Sequence, residues 1–113
     1  MIQVTIDRQD SRISQFEMSG HAESGPYGYD LVCAGVSAVS FGSINAVMTI
    51  AGTELAIEQD SDGGFLRVTV PSGLSEDVMN KVQLLLEGML VSLRTIERDY
   101  NTFIRITEHE EVL

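Results

Sequence analysis

Cysteine and histidine are scarce in this sequence, and their scarcity excludes two kinds of structural site. Cys33 is the only cysteine among 113 residues, so no disulfide can form within the chain. Only His21 and His109 accompany it, so a four-ligand zinc site would need carboxylates as well, and we expect no metal. A lone thiol is typical of proteins in a reducing cytoplasm, which is the location that we expect.

Basic residues are also few. Seven Lys and Arg residues stand against 17 Asp and Glu, which gives a net charge of −10, and the basic residues are scattered along the chain. Because binding to phosphates needs clustered basic side chains, we expect no direct contact with nucleic acid. An acidic surface would attract a basic partner, or it would serve solubility alone, and charge by itself leaves both interpretations open.

Long uninterrupted apolar runs are absent too. The first residues, MIQVTID, show no basic segment followed by an apolar run, so we expect no signal peptide. The longest apolar stretch, residues 31–50, predicts a buried helix and not a membrane span. It is interrupted by six small or polar residues: Gly35, Ser37, Ser40, Gly42, Ser43 and Asn45. The length of the chain suits one domain covering residues 1–113.

Alternation of apolar and polar side chains indicates the strands. Residues 2–7 alternate clearly, and residues 12–18 follow after turn residues, so together they predict a hairpin. A second hairpin is expected over residues 53–59 and 65–70, joined by a glycine-containing turn. A last strand is expected over residues 103–107.

Two helices lie between these strands. The first is predicted from Leu31 to Ala51, with Asp30 as its N-cap and Gly52 just after its end. The second follows Ser75 as N-cap and carries apolar residues at helical spacing. The order β-β-α-β-β-α-β predicts an α+β, two-layer sandwich: a mostly antiparallel sheet with both helices on one face. Because the first helix is apolar nearly all round and rich in small residues, we expect a homodimer.

Three reactive side chains are close in sequence: His21, Asp30 and Cys33. Cys33 falls in the first turn of the predicted helix, where unpaired N–H groups and the helix dipole stabilise a thiolate. His21 lies across a glycine-rich loop and is the usual kind of base for such a thiol. The backbone N–H groups of Cys33 and Ala34 could bind a developing oxyanion.

Each of these residues also has an interpretation without chemistry. A lone cysteine in an apolar helix is most often part of the core. His21 could be an idle loop residue, Asp30 only an N-cap, and Ser37 a small residue that permits close packing. His109 lies in an acidic stretch and is expected to be solvated. Spacing alone therefore leaves a Cys–His pair as one of several options.

The segments Gly20–Ala22 and Tyr29–Ala38 resemble the signature of the bacterial ribosomal-processing cysteine proteases. That signature has a GHA sequence, a glycine-bearing loop and then D-[IL]-V-C-A-[AG]-x-S. The resemblance implies Cys33 as nucleophile, His21 as base, and Gly20, Asp30 and Ser37 as supporting residues. It also implies a small, dimeric, cytoplasmic α+β enzyme that needs no cofactor.

The same resemblance implies a substrate. Members of this family remove an N-terminal extension from the basic large-subunit ribosomal protein L twenty-seven, after a pair of aromatic residues, and so support ribosome assembly. The loop over residues 20–29 is expected to be mobile without substrate. Two other functions stay open at this point: a non-enzymatic assembly factor that binds a ribosomal protein, and a dimeric interaction module with a buried thiol.

Overall fold

The sheet begins with a strand in which apolar and polar side chains alternate, as predicted: Ile2, Val4 and Ile6 are buried, and the residues between them are not. The computed structural model describes residues 1–22, 25 and 30–111. Within them, five strands form one sheet. They are β1 (Ile2–Gln9), β2 (Arg12–Ser19), β3 (Ala56–Gln59), β4 (Phe65–Thr69) and β5 (Ile104–Glu111).

The strand order is β3-β4-β2-β1-β5. Neighbouring strands run antiparallel except β1 and β5, which pair in parallel with Ile2 opposite Ile104 and Val4 opposite Ile106. Parallel pairing requires a crossover, and the second helix supplies it. The expected α+β architecture with a mostly antiparallel sheet is confirmed.

Both predicted helices form. Helix α1 (Leu31–Ala46) starts at the N-cap Asp30 and continues as a π-helical turn, Val47–Ala51, which ends at Gly52 with φ of 72°. A residue in this left-handed conformation is the usual end of a helix, and glycine adopts it without steric cost. Helix α2 (Glu76–Asp99) starts at Ser75, whose hydroxyl accepts the Val78 N–H.

The core lies between one face of the sheet and the two helices. Phe16 and Ile6 on the sheet are fully buried, as are Leu86 and Leu93 on α2. The opposite face of the sheet carries polar side chains. Arg67 there bonds to Glu17 from the neighbouring strand.

Strand β5 is longer than the sequence indicated, because β1 supplies a parallel partner as far as Glu111 and Glu108 binds basic side chains. Glu108 accepts hydrogen bonds from Arg8 on β1 and from Arg94 on α2. Both hydrogen bonds lower the pKa of Glu108, and the one from Arg8 has the larger effect. Glu97 on α2 accepts the backbone N–H of Ile106, which satisfies a donor on the outer edge of β5.

Helix α1 is buried on one side only, so the prediction of a buried helix is correct for that side and wrong for the other. Val32, Val36 and Ile44 lie in the core, but Leu31 and Ile50 are 67% and 60% exposed. Within the described residues, α1 with its π turn is the one helix long and apolar enough to cross a membrane by length and composition. Core helices of soluble proteins can have the same length and composition, so these two properties are weak evidence for a membrane span. The more informative feature of α1 is its exposed apolar side.

Candidate active site

The start of α1 places Cys33 at the surface of the core. Asp30 adopts an extended conformation, and its carboxylate Oδ1 accepts the Cys33 N–H at 3.0 Å. The Asp30 carbonyl oxygen accepts the Ala34 N–H, also at 3.0 Å. The predicted N-cap is therefore confirmed. Cys33 is half-buried, so its thiol is not sealed within the core.

The residues around His21 approach this thiol directly. The backbone N–H of Ala22 donates to Sγ of Cys33 at 3.2 Å. Ala22 is buried, which holds the chain against α1 at the residue after His21. An N–H aimed at sulfur favours the charged thiolate over the neutral thiol, as does the adjoining helix start. The thiolate is the form that attacks a carbonyl.

Gly20 fixes the path of the chain into His21. Its φ is +88°, and a Cβ at this position would collide with the carbonyl oxygen of Met1. Its N–H donates to the carbonyl oxygen of Gly64 at 2.9 Å, so the turn between β3 and β4 is joined to the end of β2. Only glycine fits both the backbone angle and the space.

His21 and Cys33 line the same cleft, which encloses about 190 Å³. Gly20 and Ser37 also line it, so four of the predicted site residues come together here. The side chain of His21 is exposed. Much of the remaining wall is apolar, from Met18, Val36, Phe41, Phe65 and Leu66. The cleft thus brings a thiol and an imidazole together beside a surface suited to an apolar side chain.

The other predicted residues have the following places. Asp30 caps α1, and the two N–H groups expected to bind an oxyanion, those of Cys33 and Ala34, both donate to Asp30. Their oxyanion role stays a prediction, and it requires that these bonds be shared or released during the reaction. His109 lies exposed on β5, opposite Asp7 in the sheet, and does not line the cleft.

Sequence reasoning missed two contributions to this site. The first is the Ala22 N–H, which no side-chain pattern could reveal. The second is Gly64, which meets His21 from the β3–β4 turn and carried no signal beyond its place in a predicted turn. The predicted mobile loop falls largely outside the described residues, which include Gly25 but not residues 23–24 or 26–29. In the part of the chain that is described, no three His, Cys, Asp or Glu side chains group in a way that could hold a metal ion.

Comparison with known proteins gives one consistent result. The family model described as cysteine protease Prp matches residues 1–105. The ribosomal processing cysteine protease Prp of Bacillus subtilis is 51% identical over 108 residues, covering 95% of this chain and 96% of that protein. The protein of the same name from Staphylococcus aureus is 44% identical over 107 residues, covering 91% of this chain and 96% of that protein.

Solved structures agree with the fold. The S. aureus protease Prp, in complex with a covalently linked product peptide, superposes with a TM-score of 0.88 at 40% identity. The match covers 96% of this chain and all of that one. A Streptococcus mutans protein superposes with a TM-score of 0.85 at 32% identity, covering 98% of this chain and 96% of that one.

Proposed function

Because this chain belongs to the Prp family of ribosomal-processing cysteine proteases, we propose that it cleaves an N-terminal extension from ribosomal protein L twenty-seven, with Cys33 as nucleophile and His21 as base. The observation that carries the assignment of residues is the position of the thiol. Cys33 lies in the first turn of α1, its Sγ accepts the Ala22 N–H, and His21 lines the same cleft.

These positions support the following reaction. His21 takes the proton of the Cys33 thiol, and the Ala22 N–H and the start of α1 stabilise the resulting thiolate. The sulfur attacks the scissile carbonyl carbon and forms a tetrahedral intermediate. When this collapses, the C–N bond breaks, and His21 gives its proton to the leaving amine.

A thioester then links Cys33 to the N-terminal part of the substrate. Water attacks the thioester carbonyl while His21 accepts a proton from the water, and the C–S bond breaks to release the acid and restore the thiol. The N–H groups of Cys33 and Ala34 are the proposed oxyanion donors. Asp30 holds the first turn that carries both of them.

Two properties of the molecule suit the proposed substrate. The apolar wall of the cleft, including Phe41 and Phe65, suits an aromatic side chain next to the cleaved bond. The net charge of −10 suits a basic ribosomal protein and opposes direct binding to RNA. We place the reaction in the cytoplasm, where a lone thiol stays reduced.

The uncovered side of α1 supports a homodimer. Leu31 and Ile50 are exposed apolar residues on this helix and its π turn, and small residues such as Ala38 lie exposed between them. A second copy of the chain would bury this surface from water. The dimer is therefore part of the proposal.

The proposed function is tested with a synthetic peptide that carries the extension and the first residues of the mature ribosomal protein. We expect one cut after the aromatic pair, located by mass spectrometry, with His21→Ala inactive. His109→Ala is the matched control and should cleave at the wild-type rate, because His109 is exposed on β5 away from the cleft. Tight binding of the peptide without any cleavage by the wild-type protein would favour the assembly-factor interpretation.

A further inference from the structure

The turn between β3 and β4 lies beside the side chain of His21, although the two are far apart in sequence. A Cβ atom added to Gly64 would lie 3.3 Å from Nε2 of His21 and 3.4 Å from Oδ1 of Asp62. The first distance is tighter than most real contacts of a Cβ atom, so the imidazole already rests close to the bare Cα of Gly64. No residue of the family signature lies on this turn.

We propose that Gly64 is a positioning residue for His21, and that its missing side chain leaves the space in which the Nε2 edge of the imidazole sits. The inference rests on the proposed role of His21 as the base. It adds a residue from a different hairpin to the machinery, and it explains why this particular position in the turn has no side chain.

The turn is held firmly enough to act as a support. The N–H of Gly64 donates to Oδ1 of Asp62 at 2.9 Å, and its carbonyl oxygen accepts the Gly20 N–H at 2.9 Å. The Gly63 N–H donates to the carbonyl oxygen of Asp60 at 3.2 Å. The N–H of Gly64 is thus bonded within its own turn, and its carbonyl oxygen is bonded to Gly20, the residue just before His21.

Position matters here because a base must come within hydrogen-bond reach of the thiol. A methyl group at position 64 would push the imidazole by a few tenths of an ångström or turn it out of the cleft. The ring has freedom to turn, since the side chain of His21 is exposed. A displacement of about 1 Å in a catalytic group can cost roughly 100-fold in rate, so smaller shifts should also be measurable.

The neighbouring glycine provides a matched control. Gly63 also lines the cleft, but it has φ of +79° and no atom within 4 Å of an added Cβ, so alanine there strains the turn without touching His21. Gly64 does not have a positive φ, so alanine there adds contact without this backbone strain. The two substitutions therefore separate an effect on the base from an effect on the turn.

The experiment measures peptide cleavage, thermal unfolding and the pH dependence of Cys33 alkylation by iodoacetamide in the full chain. For Gly64→Ala we expect kcat to fall roughly tenfold, with KM and the melting temperature near wild type. Gly64→Val should lose more activity and should shift the alkylation profile toward that of His21→Ala. Gly63→Ala should melt at a lower temperature and keep its kcat and its alkylation profile.

Three results would overturn the inference. If Gly64→Val keeps the wild-type kcat and alkylation profile while His21→Ala is inactive, the role of Gly64 is refuted and the proposed function is not. Equal losses of activity and of melting temperature in Gly63→Ala and Gly64→Ala would show that the turn is only structural. Wild-type cleavage by His21→Ala would refute the proposed function and this inference together. If Gly64→Val does not fold, the smaller Gly64→Ala decides.

Discussion

Replacing Asp30 by alanine and by asparagine separates two roles of its carboxylate. In the structure Oδ1 accepts the N–H of Cys33 at 3.0 Å, so the side chain caps the helix that carries the nucleophile. Asparagine has a side-chain oxygen in a similar place and is an equally good N-cap, but it has no charge. Alanine removes both the cap and the charge.

The expected magnitude follows from the cap. Loss of an N-cap hydrogen bond costs about 1 kcal/mol of the free energy of unfolding, which lowers the melting temperature of a chain of this size by about 4 °C. If the whole of that energy were also lost in the transition state, kcat would fall only about fivefold. We therefore expect Asp30→Ala to be less stable but active, and Asp30→Asn to resemble wild type in both respects.

The assay is peptide cleavage beside a thermal unfolding curve for each variant. One result would refute this reasoning directly: an Asp30→Asn protein that melts like wild type and has lost kcat by orders of magnitude. The charge of Asp30 would then act on the chemistry itself, for example by orienting the imidazolium of His21, and the cap would be a secondary role.

Three further predictions concern charge and assembly. The lowered pKa of Glu108 means that its contribution to stability is present above the unfolded pKa of about 4.3 and is lost as pH falls through the lower folded value. The melting temperature of Glu108→Gln should therefore fall less steeply than that of the wild type between about pH 5 and pH 3. An unchanged slope would contradict this. If the acidic surface attracts a basic substrate, kcat/KM should fall with added salt while kcat stays constant. Salt screens the long-range attraction that speeds the encounter of enzyme and substrate, and it does not affect the steps after binding. A salt-independent kcat/KM would mean that the charge serves solubility. Light scattering at micromolar concentration should give about twice the 12.4 kDa mass of one chain. The substitution Ala38→Arg, on the exposed side of α1, should reduce the measured mass toward that of one chain. A monomeric wild-type protein would refute the dimer.

Signals from neighbouring residues predict the ends of the helices correctly. Asp30 and Ser75 cap their helices as predicted, and Gly52 ends the first one in a left-handed conformation. These outcomes depend on side-chain chemistry within one turn of helix, so the local sequence contains the information. The change from α to π geometry at Val47 has no comparable local signal, and it was not predicted.

Features that depend on distant residues could not be predicted in the same way. The stretch after Thr107 is acidic and reads as a solvated tail, but it continues β5 to Glu111 because β1 supplies a parallel partner and Arg8 binds Glu108. Gly64 and His21 follow from two different hairpins, and only the folded sheet brings them close together. The position of Cys33 at the start of a helix indicates a reactive thiol, whereas the apolar composition of that helix indicates a core residue. In the structure Cys33 is half-buried and lines a cleft.

Cleavage of the extension-bearing peptide by folded Cys33→Ala tests the central claim most directly. The substitution removes only the sulfur atom at the start of α1, so a stability cost on the order of 1 kcal/mol is expected, and the protein should still fold and bind the peptide. We expect no detectable cleavage by this variant, and near-complete loss of activity in Cys33→Ser, because a serine hydroxyl does not form the anion that a cysteine thiol forms at this site. Full cleavage activity in a folded Cys33→Ala protein would contradict the central claim.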